Sequence, residues 1–186
     1  MTSIGPEEAA QALNDIEQIV RRVRQSRIYD IASQIMIVAG VLVLAGNVAN
    51  FLTPRHANTI WITVNVLNVA SVAALATMGS RPAGVQGFDF RMLAAFLLFY
   101  AFGILCSGVL GHYGPRELGA FWPIYFMLFY CIAGLWFGRA FMAIGLGIIV
   151  LTLIGYFFIE GGAFLLWMAA VNGGGLILSG LWMRRI

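Results

Sequence analysis

Six apolar stretches, each about as long as a bilayer's hydrocarbon core is thick, leave this chain few folds to adopt. A helix rises about 1.5 Å per residue, so roughly 20 apolar residues cross a core of about 30 Å. Stretches of that length run approximately over residues 28–51, 58–78, 92–111, 119–138, 140–159 and 162–183. Composition points the same way: 61% of the 186 residues are apolar and 10% are charged, against roughly 45–50% and about 25% in soluble domains. The expected fold is an all-α integral membrane protein. It is a six-transmembrane-helix bundle over residues 28–186, preceded by an amphipathic cytoplasmic helix over residues 1–27.

The arginines set the orientation, because connections on the cytoplasmic side are enriched in positive charge. With the N-terminus inside, Arg21, Arg22, Arg24, Arg27, Arg81, Arg91, Arg139, Arg184 and Arg185 fall on the cytoplasmic side. Only Arg55 and Arg116 fall on the other, nine against two of the 11 basic residues. Trp61, Trp122 and Trp167 then stand near the outer interface and Trp136 and Trp182 near the inner one, where amphipathic rings are favoured. Residues 1–27 carry Glu7, Glu8, Asp15 and Glu17 and contain no apolar signal-peptide core, so the first membrane helix is expected to lead insertion. The expected home is a bacterial-type cytoplasmic membrane, with a multi-pass topology and both termini in the cytoplasm. The formal charge of +3 comes from arginines placed between apolar blocks, which argues against nucleic acid as a partner.

An internal repeat runs beneath the hydropathy. Pro54, Arg55 and Trp61 recur at the same spacing as Pro115, Arg116 and Trp122. Trp122 leads to Gly134, Leu135, Trp136 and Arg139, and Trp167 leads similarly to Gly180, Leu181, Trp182 and Arg184. The chain therefore reads as three helical hairpins in one orientation, the third carrying Glu160 and Gly161 where the others have Pro-Arg. Convergence is the competing explanation, since any short hairpin uses turn prolines, interfacial tryptophans and cytoplasmic arginines.

Catalytic equipment is lacking. No paired carboxylates lie in the apolar stretches and no nucleophile and base converge, so an enzyme is not expected. Cys106 and Cys131 fall within apolar stretches, where a thiol packs as a small hydrophobe, and neither they nor His56 and His112 have zinc or haem spacing. No cofactor is implied. Asp30, three residues after Arg27, reads as an interfacial ion pair or as a proton or cation site at the membrane edge.

Uncharged amides are the more informative polar groups. Asn47 and Asn50 share one face of the first span, Asn65 and Asn68 one face of the second, and Asn172 lies at a comparable depth in the sixth. They either bond one another across helices or line a polar pocket open to the outer face, rimmed by Arg55, His56, His112, Arg116, Glu117 and Glu160. Small residues, among them Gly103, Gly134 and the run Gly173, Gly174 and Gly175, allow close helix approach and weaken the last helix near Asn172.

Ahead of the first span, Ala9, Leu13, Ile16, Val20 and Val23 alternate four and three apart and form one apolar stripe. Leu13, Ile16, Val20 and Val23 are its candidate partner contacts, toward the bilayer, the bundle, a second copy or another protein. Two function classes follow. A non-enzymatic interaction, sensory or accessory membrane subunit is favoured. The alternative is a small permease or channel for a neutral, zwitterionic or anionic solute, disfavoured because the inner halves of the spans are almost wholly apolar.

Overall fold

The computed structural model describes residues 5–78 and 90–185. Arg81, used in the orientation argument, lies outside the described residues, as do the side chains of Val20, Arg21, Arg22, Arg24, Arg27 and Arg91. Every regular element among the described residues is helical: α1 (Pro6–Leu52), α2 (Ala57–Met78), α3 (Phe90–Leu105), α4 (Pro115–Phe137), α5 (Arg139–Phe158), α6 (Ala163–Met168) and α7 (Gly175–Met183). A π-helical turn, Cys106–Leu110, ends α3, and a second, Ala169–Gly174, joins α6 to α7. Such segments are wound wider than an α-helix and occur as short insertions within one.

Five helical segments are long and apolar enough to cross a membrane: Tyr29–Leu52, Pro54–Leu75, Pro115–Phe137, Arg139–Phe158 and Ala163–Met183. The stretch expected at 92–111 contributes a shorter apolar helix, Leu97–Leu110. Large apolar side chains face outward along these helices, Phe157 at 70% and Phe158 at 80% exposure among them. Faces of that kind belong in hydrocarbon, where a helix satisfies its own backbone groups. The chain is a membrane-embedded helical bundle.

α1 differs most from its expected boundaries. It is one uninterrupted helix of 47 residues in place of an arm and a separate span. No Gly or Pro stands between Pro6 and Gly40 to break it, and Pro6 occupies the first turn, where its missing N–H costs nothing. It stops at Leu52 because Pro54 disfavours the helical conformation for the residue before it: Thr53, at φ −133° and ψ 70°, still donates its N–H and hydroxyl to the Ala49 carbonyl at 2.8 Å, and Pro54 then opens a tight 3-10 turn into α2. α4 also starts on a proline, Pro115. Gly138, with φ of 131°, makes the abrupt corner between α4 and α5, and Gly161, with φ of 63°, makes the one between α5 and α6.

Packing neighbours run in the order α2, α1, the last segment (α6 to α7), α5, α4, α3. The last two chain segments therefore sit in the middle. The most apolar window of Ala163–Met183 is 39% buried, against 6% for that of Pro54–Leu75 at one end of the row. Met36 of α1, Met127 of α4, Ile144 and Ile148 of α5, and Val171 and Leu176 of the last segment form the main core. Ala120, Phe164 and Met168 form a smaller one toward the α5–α6 corner. α3 is held on α4 by stacked rings, with Phe99 and Tyr125 4.1 Å apart, and by the Tyr125 hydroxyl donating to the Phe99 carbonyl at 2.6 Å.

Candidate functional site

The residues of α1 that face the last segment recur four and three apart: Ser33, Ile37, Gly40, Leu44, Asn47 and Phe51. Glycines bring the two backbones together along this seam. A Cβ on Gly40 would stand 2.7 Å from the Gly173 carbonyl oxygen, and one on Gly173 would stand 2.5 Å from the Leu44 Cβ. At one end Gly180 lies against Ser33 and Ile37, and at the other Gly162 lies against Phe51. The Gly180 end is tied by polar contacts. Arg184 Nε donates to Ser33 Oγ at 3.3 Å, and that hydroxyl donates to the Asp30 carbonyl at 2.7 Å. The Asp30 carboxylate accepts from Gln34 Nε2 at 3.2 Å.

Polar groups enter the seam and the face of α5 at one level. Asn47 and Asn172 are both buried, and Thr152 of α5 is fully buried. Gly155, one turn along α5 from Thr152, lies against the Trp167 indole, and Ile148, a turn the other way, lies against Gly175. Thr152 is thereby set opposite the π-helical turn Ala169–Gly174, which falls between Trp167 and Gly175. The Trp167 indole N–H reaches the Leu151 carbonyl at 2.9 Å, beside it. Among the described residues Thr152 Oγ1 is the buried side-chain oxygen or nitrogen with no hydrogen-bond partner.

The asparagines turn their amide N–H groups onto their own helices. Asn47 Nδ2 donates to the Val43 carbonyl at 2.9 Å, Asn65 Nδ2 to Trp61 at 2.8 Å and Asn68 Nδ2 to Val64 at 3.0 Å. Asn172 Nδ2 faces the Met168 sulfur at 3.5 Å. Asn50 is partly buried on α1, and Asn65 and Asn68 are partly buried on the face of α2 that also carries Trp61 and Val64. That face meets α1 at Gly46.

The six expected rim residues are placed differently from one another. Arg55, His56, His112 and Glu160 are exposed. Glu117 folds back over Gly114 in the first turn of α4, where a negative charge suits the helix dipole. Arg116 is committed to structure. Its Nη2 donates to the Tyr156 carbonyl at 2.5 Å and to the Ile159 carbonyl at 2.7 Å, and its guanidinium lies over the Tyr156 and Phe164 rings at 5.4 and 5.2 Å. It thus closes the carbonyl end of α5, whose last oxygens have no intrahelical donors.

Thr152 and the Gly155–Trp167 contact escape a reading based on asparagine spacing. Their signal is nonetheless present, since Thr152 is the only hydroxyl in the otherwise apolar run from Ala140 to Gly155. Among the described residues no three His, Cys, Asp or Glu side chains gather closely enough to hold a metal ion. The chemistry at this level is that of uncharged amides, a hydroxyl and backbone carbonyls. No protein-family model, curated protein or solved structure matches the chain.

Proposed function

We propose that this chain is a six-span, non-catalytic subunit of a bacterial-type cytoplasmic membrane, built as three hairpins with both termini inside, that presents the first part of α1 to a protein partner. The observation that carries this reading is the unbroken run of α1 from Pro6 to Leu52. A helix that leaves the membrane without a break cannot also lie flat on it, so the stripe is held away from its own bilayer. Leu13, Ile16 and Val23 on that stripe are each about three-fifths exposed (63%, 59% and 63%). An apolar stripe left in water gains nothing from being helical, and a partner that covers it does.

The three-hairpin reading draws support from a contact that recurs. In each consecutive pair a tryptophan of the returning helix comes near a glycine of the outgoing one: Trp167 directly against Gly155, Trp122 beside Tyr125 against Gly103, and Trp61 at Gly46, where Val64 is the nearer neighbour. Turn prolines and interfacial arginines arise by convergence, but a matched glycine across the helix pair is a demand of packing, not of topology.

Replacing Leu13 and Ile16 together with Glu tests the arm. Its expected result is loss of copurifying partner or of the higher oligomer, with the melting temperature of the bundle unchanged. Retention of the same assembly would reduce the arm to an idle extension. Topology is checked separately by single cysteines in a background lacking Cys106 and Cys131, labelled in intact cells with an impermeant thiol reagent. Cysteines beside Arg55, Arg116 and Glu160 are expected to react and those beside Arg81, Arg139 and Arg185 to stay unlabelled, and labelling at Arg81 would overturn the orientation.

A second reading, a small permease, is favoured by one observation: a π-helical turn that contains the buried Asn172, the kind of interrupted helix that forms mid-membrane sites in transporters. It ranks lower because Asn47, Asn65 and Asn68 direct their donors to their own backbones.

A further inference from the structure

At the level of Thr152 one buried hydrogen-bonding group is left without a partner among the described residues. The Gly175 N–H at the end of the π-helical turn is shared among three carbonyls, those of Ala170, Val171 and Asn172. Each carbonyl has two lone pairs, so those of this turn can each take a further donor. Facing it across the α5 seam is a fully buried hydroxyl, Thr152 Oγ1, with no partner at all. A threonine in an apolar helix ordinarily donates to a carbonyl of its own preceding turn, as Thr63 does here to Thr59 at 2.9 Å. Thr152 does not. An unpaired hydroxyl buried in an apolar medium is costly, and the cost is largest where no bulk water reaches it.

We propose that this junction of α5 with the last segment holds a single buried water, bonded to Thr152 Oγ1 and to the carbonyls of the π-helical turn. Water is the guest whose chemistry fits. It accepts the hydrogen that Thr152 has free and donates its own two to second lone pairs of carbonyls in the turn, which gives it the two to four partners that a buried water typically needs. A metal cation would also take oxygen donors, but it would sit here without a countercharge. The run from Ala140 to Gly155 and the run from Ala163 to Met183 contain no acidic residue, and an uncompensated charge in a low-dielectric interior costs far more than a neutral guest. The water serves as a hydrogen-bonded pin through which the wider turn stays docked on α5. This inference does not depend on the role of the α1 arm.

The test uses the full chain reconstituted in lipid nanodiscs and turns on a sign. Thr152→Val keeps the shape and removes the hydroxyl. If water is bound, the variant leaves that water and its carbonyls with a partner fewer, and the melting temperature is expected to fall by about 2–4 °C, the shift for roughly one hydrogen bond in a chain of this size. If the hydroxyl is bare, the same change removes an unsatisfied group, and the melting temperature rises or stays where it was. Either of those results overturns the proposal. X-ray radiolytic footprinting of the unaltered protein gives an answer even where the variant does not accumulate, because radiolysis of a bound water oxidises the side chains beside it. Met168, one turn before Asn172, and Met36 of the main core are both essentially inaccessible, at 2% and 0% exposure. Oxidation of Met168 severalfold faster than of Met36 is the expected result, and equal, slow oxidation of the two would remove the water.

Discussion

Replacing Gly173 by alanine is expected to cost about 1–3 kcal/mol of stability or more, the range for overpacking a close contact, and to loosen the last segment from α1. The new methyl would stand 2.5 Å from the Leu44 Cβ and 2.7 Å from its Cα and backbone nitrogen. Two of those three atoms are backbone, so no rotamer change relieves the clash and the helices themselves must part. The loss then spreads along the seam, since Gly40 and Gly180 depend on the same close approach. Gly174→Ala, one residue on, is the matched control: nothing lies within 4 Å of its added methyl. It is expected to leave the melting temperature within a degree or two, by the small size of surface effects. Equal behaviour of the two variants in a thermal melt would mean that the seam does not hold the bundle together.

Arg116→Ala is the second change expected to have a large effect. The guanidinium bonds two carbonyls at the end of α5 at 2.5 and 2.7 Å while resting on two rings. Hydrogen bonds from a charged donor contribute roughly 1.5–3 kcal/mol, and a cation near a helix C-terminus adds a few tenths more. A loss of about 2–3 kcal/mol is expected, less than the sum because water reaches the partly buried side chain and replaces some of what is removed. Arg116→Lys should recover only part of it, for an ammonium on a flexible stem lacks the planar guanidinium face that rests on the Tyr156 and Phe164 rings. Hydrogen exchange locates the effect: amides near Ile159 and Phe164 should open faster, while those of α1 should not. Arg55→Ala, at an exposed turn, should alter neither.

The contrast between these two arginines shows where sequence reading succeeds and where it stops. Hydropathy exposes five of the six expected spans as helices long and apolar enough to cross a membrane, because a hydrocarbon core demands a long apolar stretch, while the stretch at 92–111 yields a shorter apolar helix. Turn positions are also visible, in Pro54, Pro115, Gly138 and Gly161, since each imposes a backbone conformation by its own covalent structure. Arg55 and Arg116 share one sequence context, each directly after a proline and six residues before a tryptophan, yet one is exposed and the other is bonded across 40 and 43 residues of chain. That difference depends on which helix end is packed nearby, and spacing along one segment carries no such information.

The asparagines make the same point at closer range. A shared face is readable from three-residue spacing, but whether an amide bonds its own helix or another depends on rotamers and on the partner's distance. For α1 the needed signal is in the sequence after all. Its polar first half and apolar second half divide it by solvent, while the absence of any breaker between Pro6 and Gly40 makes it mechanically one piece.

That continuity turns α1 into a lever. At about 1.5 Å per residue its 47 residues extend about 70 Å, and the part before the span accounts for roughly 34 Å of that. Through a stiff rod of that length, a tilt of about 10° at the membrane carries the tip sideways by roughly 6 Å. The fulcrum is the glycine seam with the last segment, where the backbones already touch and little rotation is absorbed by side chains. A force applied at Leu13 would arrive as torque at Gly40 and Gly173, and a shift in the lipid around the bundle would be displayed, amplified, at the far end of the arm.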